Sequence, residues 1–169
     1  MELYREQGFD STTVAEIAER AGLTERTFFR HYADKREVLF WGAPALQEFL
    51  VGAVDAAPDS VPPIEAIVTA LEGAAAAIFE ERRDHARQRQ AIIAAHPELR
   101  ERELIKLANL ASALADALRR RGVEDPAASL AAEAGIAVFK VAFERWVTDD
   151  AGRTLSELIR ACVDELILV

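Results

Sequence analysis

Arg26, Thr27, Arg30 and His31 fall within one short run, Thr24-Glu25-Arg26-Thr27-Phe28-Phe29-Arg30-His31. Their side chains are hydrogen-bond donors of the kind that suit the anionic backbone and the base edges of a nucleic acid. Catalytic chemistry has no comparable constellation. The residues three before His31, His85 and His96 are Phe28, Arg82 and Ile93, so the paired Glu-x-x-His motif of a di-iron bundle is missing. A Gly-rich phosphate loop, a G-x-S-x-G elbow and metal-spaced histidines are absent from the sequence too. We expect no catalytic residue, no metal ligand and no cofactor.

The residues around this run predict the elements that hold it. Thr13 lies three residues before Glu16, the spacing of a capping box, so a helix starts at Val14. Val14, Ile17, Ala18 and Ala21 then line one apolar face, and Gly22 suits the left-handed end of that helix. Thr24 caps a second helix from Glu25, with Phe28 and Tyr32 turned inward. Asp34 and Glu37 have the spacing of another capping box, opening a third helix at Lys35. Two short helices joined by a tight turn can set the second in the major groove of DNA. On that reading Arg26 and Thr27 meet base edges, while Thr13, Thr24, His31 and Lys35 position phosphates. Glu25, Phe29 and Arg30 complete the candidate DNA-binding set. The bland alternative is that these side chains are merely solvated.

The same residues resemble the TetR family of bacterial transcription regulators. The resemblance rests on Gly8-Phe9, Thr12-Thr13-Val14, Ile17-Ala18-Glu19-Arg20-Ala21-Gly22, Thr27-Phe28-Phe29-Arg30-His31-Tyr32 and Lys35-Arg36-Glu37-Val38-Leu39. It covers roughly the first quarter of the chain. It implies an all-α homodimer with one DNA-binding and one ligand-binding domain per subunit, acting on double-stranded operator DNA. Two departures stand out. The first helix is shorter than the family's usual one, with little before Leu3, which leads us to expect a natural start upstream of Met1. Phe29 stands where the family often has Tyr, so a phosphate-binding hydroxyl is absent while the ring can still pack.

Composition agrees with a helical reading. The 169 residues are long enough to bury a real core, Gly (8) and Pro (6) are sparse, and no stretch alternates at period two. Apolar runs break before the roughly 20 residues a membrane span needs, and no secretory signal opens the chain, which predicts a cytoplasmic protein without membrane contact. The single Cys162 excludes an internal disulfide and a cysteine-rich zinc site. The net charge of −9 looks wrong for a DNA binder until it is divided. Residues 1–42 carry six basic and eight acidic side chains, whereas Thr24–Arg36 carries four basic and two acidic. Most of the acidity therefore belongs to residues 43–169 and serves solubility. We expect a helix-turn-helix domain over 1–42 and a ligand-binding and dimerisation domain over 43–169.

Beyond Arg36 the pattern predicts a helix from Lys35 to about Val54, kinked at Gly42 and Pro44. A second follows from about Ile64 to Glu81, and then a charged segment, Glu80 to Gln90. Pro97 opens a long helix ending near Gly122. Asp125-Pro126 opens another, apolar on most sides through Leu130, Ile136, Val138, Phe139, Val141, Phe143, Trp146 and Val147. Thr154 and Glu157 cap the last, with a stripe of Leu155, Leu158, Ile159, Cys162, Val163, Leu166 and Ile167. This stripe and Phe139 form the candidate dimer interface, a four-helix arrangement across two subunits. The alternative is that both helices fill one subunit's core.

Trp41, Phe79, Phe139, Phe143 and Trp146 are candidates to line a ligand cavity, or are simply core. His85 and His96 read as surface residues. The segment Arg87 to Arg100, with Leu104 to Leu118, also looks like a TetR subgroup that includes the regulator of mycofactocin genes and is associated with acyl-CoA-like ligands. That resemblance implies an apolar channel for an acyl chain, with Arg82, Arg83, Arg87 or Arg89 meeting phosphates. A solvated basic face accounts for those arginines equally well. The expected function is a repressor released from a palindromic operator by a small molecule, an acyl-CoA or another apolar ligand. The alternatives are a dimeric small-molecule-binding or adaptor protein without DNA binding, and a helical-bundle enzyme.

Overall fold

A computed structural model describes residues 1–167, with only the backbone at Ile167. The first three helices are α1 (Glu2–Gln7), α2 (Val14–Arg20) and α3 (Glu25–His31). The Thr13–Glu16 box forms in both directions: Glu16 N donates to Thr13 Oγ1 at 3.2 Å, and Thr13 N donates to Glu16 Oε2 at 2.8 Å. Gly22, at φ 68°, turns the chain back, and Leu23 N reaches Ala18 O at 2.8 Å. Only a residue tolerant of positive φ closes a helix this way. Thr24 Oγ1 then accepts from Thr27 N at 3.2 Å and starts α3.

The predicted helix from Lys35 divides in two. Lys35–Phe40 is a 3-10 turn, and α4 (Ala43–Ala56) begins only after Gly42. Pro44 therefore does not kink a continuous helix. It occupies the first turn of a new one, where its missing N–H costs nothing. Asp34 does accept from Arg36 N at 2.8 Å, but the expected Glu37 half of that box is absent, because the Glu37 carboxylate is drawn to Arg102.

The next predicted helix is also interrupted. It runs as α5 (Pro63–Ala74), a π turn (Ala75–Phe79) and a 3-10 turn (Glu80–Arg82) into α6 (Arg83–Ala95), so most of the charged segment is itself helical. The helices α7 (Pro97–Arg120), α8 (Ala127–Thr148) and α9 (Leu155–Ile167) follow. The Thr154–Glu157 box closes both ways, at 2.8 and 3.1 Å. There is no strand among the described residues.

The main core is built by α4, α5, α7, α8 and α9 around the wholly buried Leu50, Ile67, Leu71, Leu114, Leu118 and Trp146. α8 runs through its centre and crosses α5 at Gly135, where a β-carbon would lie 2.5 Å from Ile67 Cγ2. A second, smaller core joins Tyr4, Phe9, Leu39 and Phe40 to Ile93 and Leu99. The helix-turn-helix thus completes its apolar packing on α6 and α7.

Candidate functional site

α2 and α3 present the predicted DNA-contact set on one end of the molecule. Thr13, Thr24, Glu25, Arg26, Arg30 and His31 are exposed, and Thr27 is half-buried. Phe28 is buried and turns the opposite face inward, stacking near Tyr32 at 5.2 Å between ring centroids. Phe29 is 53% exposed, an apolar ring on the outer face. Neither Arg26 nor Arg30 forms an ion pair among the described residues. Their charges remain free for an external anion. The nearby Arg20 and Arg36 are engaged, with Glu2 and Glu6 at 3.3 and 3.1 Å and with Asp34. Pairing with Arg36 in turn holds the Asp34 carboxyl below the usual aspartate range.

Lys35 corrects the sequence reading. Its ammonium donates to the carbonyls of Phe9, Asp10 and Thr12 at 2.7, 3.0 and 2.9 Å, which uses all three protons. It also lies 4.6 Å from the Phe9 ring centroid. Lys35 is therefore a structural tie across the turn that precedes α2 and is not available as a phosphate contact. Tyr4 adds to this tie by donating its hydroxyl to Lys35 O at 2.6 Å. Burial and the neighbouring Asp34 push the Tyr4 phenol well above its ordinary pKa, so it stays a donor.

The far end of the 3-10 turn is gripped from the other side. Arg89 Nε on α6 donates to Leu39 O at 2.7 Å, and its Nη1 meets Glu103 at 3.1 Å. Glu37 accepts from Arg102 Nε at 2.6 Å and Lys106 Nζ at 3.0 Å, both on α7. Against the cost of burial, these two donors hold the Glu37 carboxyl below the ordinary glutamate range. Arg89 and Lys106 also flank the Phe40 ring, at 5.0 and 5.9 Å. Short 3-10 turns have poor internal hydrogen bonds, so this one depends on such external grips.

Behind the grip lies a cavity of about 590 Å³ between the 3-10 turn and α4, the π turn, α6, α7 and α8. Its wall is largely apolar, through Phe40, Leu46, Val51, Ile78, Leu107 and Leu110. Four of the six predicted ligand residues, Trp41, Phe79, Phe139 and Phe143, line it. The π turn brings Phe79 against Phe139 and Phe143, with centroids 5.8 and 5.6 Å apart.

The other two ligand candidates lie elsewhere. Trp146 is wholly buried behind Phe143, and Arg87 Nε is spent on Val147 O at 2.7 Å. Arg83 donates to Trp146 O at 2.6 Å, so Arg83 and Arg87 together satisfy carbonyls at the C-terminus of α8, where cations are favoured. Arg82 and Arg89 do line the cavity, as does His85, which is exposed as expected and whose pKa partial burial pushes down. His96 is instead drawn inward, with its ring 5.0 Å from that of Phe9. Sequence reasoning passed over Phe40, Gln90, Glu103 and Lys106, and no local signal marks them. Their roles arise from partners brought in from distant segments.

The expected dimer stripe is corrected as well. Phe139, Leu155, Leu158, Ile159, Cys162 and Val163 are buried within this chain's own core. Leu166 alone of that set is exposed, at 46%, and the Ile167 side chain lies outside the described residues. The outward surface of α8 carries Leu130, Ala137 and Val141 instead, with Ala134 half-buried between them. Their spacing of four, three and four residues makes one continuous stripe.

A helix-turn-helix with free arginines, packed on a helical domain with an apolar cavity, is the architecture of a DNA-binding transcription regulator. Comparison with known proteins agrees. Residues 1–40 match the family described as bacterial regulatory proteins, tetR family, and residues 61–168 match the MftR C-terminal domain. The chain belongs to the TetR family. Over 84 residues it is 37% identical to the HTH-type transcriptional regulator TcmR of Streptomyces glaucescens, a stretch that makes up 50% of this chain and 35% of that protein's length. The fold resembles that of Thermus thermophilus FadR, a TetR-family repressor solved in complex with lauroyl-CoA. The TM-score is 0.57 at 23% identity, covering 99% of this chain and 89% of that one. No helix among the described residues is long and apolar enough to cross a membrane.

Proposed function

We propose that this chain is a ligand-responsive repressor that binds a palindromic operator as a homodimer and leaves it when an apolar, acyl-type small molecule enters the cavity. One observation carries the reading: Val38, Leu39 and Phe40, which directly follow the helix-turn-helix, are also wall residues of the cavity. A molecule bound there touches the segment that carries α3. The lauroyl-CoA held by the FadR relative supports an acyl-type effector.

In this reading residues 1–42 bind DNA and residues 43–169 bind the effector and the second subunit. Arg26 and Thr27 meet base edges, and Thr13, Thr24, Glu25, Phe29, Arg30 and His31 surround them along the groove. The second copy packs on the outward stripe of Leu130, Ala134, Ala137, Val141 and Leu166. Two-fold symmetry then requires half-sites about 34–36 Å apart or a multiple of that.

The experiment is operator selection from random duplexes, followed by fluorescence anisotropy with and without lauroyl-CoA. The expected result is a palindromic site whose affinity falls when the acyl-CoA is added. Demonstrated binding of lauroyl-CoA with unchanged operator affinity would overturn the effector assignment. A Val141→Glu variant that remained dimeric by light scattering would overturn the proposed interface.

A further inference from the structure

The grip on the 3-10 turn and the wall of the cavity share residues. Arg89, Glu103 and Lys106 line the cavity and at the same time hold Leu39, Glu37 and Phe40 in place. Arg89 satisfies Leu39 O through Nε and Glu103 through Nη1, while its Nη2 has no acceptor among the described residues. Its side chain is 21% exposed and paired with Glu103 at 3.1 Å, and burial lowers its pKa in spite of that partner. Beside it, Gln90 Oε1 is buried with no hydrogen-bond partner among the described residues, although Gln90 is itself a wall residue. A guanidinium edge with no acceptor at one end of an apolar cavity offers a donor to an acceptor-headed molecule that fills the space.

We propose that Arg89 is the trigger through which the cavity controls the DNA-binding half. The occupant is an amphiphile whose apolar body lies on Phe79, Phe139 and Phe143 and whose carboxylate or carbonyl oxygen accepts from Arg89. It takes the guanidinium from Leu39 O and so frees the Lys35–Phe40 turn. This inference rests on the reading that the cavity holds an effector. A ligand shifts an equilibrium only by its differential affinity for the two states. An apolar molecule without an acceptor leaves the Arg89–Leu39 bond intact and shifts nothing. An acceptor-headed one competes for the bond and binds the released state better.

The test is backbone hydrogen exchange across Lys35–Phe40 in the full chain, with two probes built on a ten-carbon chain, sodium decanoate and decyltrimethylammonium. Binding of each is followed by tryptophan fluorescence, since Trp41 lines the cavity. Decanoate is expected to speed exchange in this turn by about tenfold, the size of one charge-assisted hydrogen bond, while decyltrimethylammonium binds without effect. Arg89→Gln is expected to exchange fast with no probe and to show no further response to decanoate. Glu103→Gln, which leaves the Leu39 bond available, is expected to bind decanoate several-fold more tightly because a competing carboxylate is gone. Decanoate binding with unaltered exchange, or equal acceleration by both probes, overturns the trigger alone. Failure of both probes to bind overturns the effector-cavity reading and the trigger with it.

Discussion

Arg89 on α6 reaches across to the backbone carbonyl of Leu39 at 2.7 Å, and with the Arg102 and Lys106 bonds to Glu37 it joins the cavity-side helices to the segment leaving the helix-turn-helix. At the other end of the same turn, Lys35 is tied to the carbonyls of Phe9, Asp10 and Thr12. A six-residue 3-10 turn is thus held from both sides, by the DNA-binding half at its start and by α6 and α7 at its end.

Lys35→Met should act on stability and leave the electrostatics of DNA binding alone. Loss of three charge-assisted bonds is expected to cost about 2–3 kcal/mol, read as a lowered urea midpoint. The slope of log affinity against log salt on non-specific duplex DNA should stay unchanged. A fall of about 0.9 in that slope would show that Lys35 contacts a phosphate after all.

Glu37 makes the grip acid-sensitive. Its folded pKa lies below the ordinary glutamate value, so its contribution is fully present above that value and is lost as pH falls through the folded one. Glu37→Gln is expected to cost about 1–2 kcal/mol at pH 7, with the gap to the parent closing as pH falls below the ordinary glutamate range. Urea titrations of both chains across this range measure it. A gap independent of pH would show that the carboxylate charge is not what holds Arg102 and Lys106.

Gly135→Ala tests the contact between α5 and α8. The added methyl would lie 2.5 Å from Ile67 Cγ2, and Ile67 is wholly buried, so the helices must separate. Overpacking of this kind costs about 1–3 kcal/mol, and a thermal melt should show a clear loss. Ile67→Ala, which removes the clashing Cγ2, is expected to cost less in the Gly135→Ala chain than in the parent, because the added methyl fills part of the vacated space.

Thr13→Ala and Thr154→Ala each remove a capping box that closes in both directions. Each is expected to cost about 1 kcal/mol, and the two losses should add, since they lie in separate helices. Chemical denaturation of the single and double variants checks both statements. Thr13→Ser should restore most of the first loss, because the serine hydroxyl caps equally well.

The capping boxes also show what was legible in the residues and what was not. Thr13 with Glu16 and Thr154 with Glu157 were readable because their partners lie three residues away. Asp34 with Glu37 has the same spacing, yet that box does not close, and the Asp34 side chain caps Arg36 N. Arg102 and Lys106, 65 and 69 residues away in sequence, take the Glu37 carboxylate instead. Phe79, Phe139 and Phe143 were readable as cavity candidates because aromatic side chains repeat on inward faces. Arg87 was not separable from Arg89 by type or position. Two residues apart on α6, one turns to the end of α8 and the other to Leu39.

The amphipathic stripes, the caps and the ordered run from Gly8 to Leu39 were enough to establish an all-α chain with a helix-turn-helix and its family. These depend on hydrogen bonds and side-chain spacings within a few turns of one helix, and such short-range terms are written in the local sequence. Tertiary structure alone decided that Lys35 is a tie, that Leu155, Leu158 and Ile159 fill this chain's own core, and that Arg89 and Glu37 bind the two halves together. A long charged side chain can satisfy any acceptor within reach, and an apolar one can bury against any neighbour. Which one it meets is set by how distant helices pack, and no local pattern records that choice.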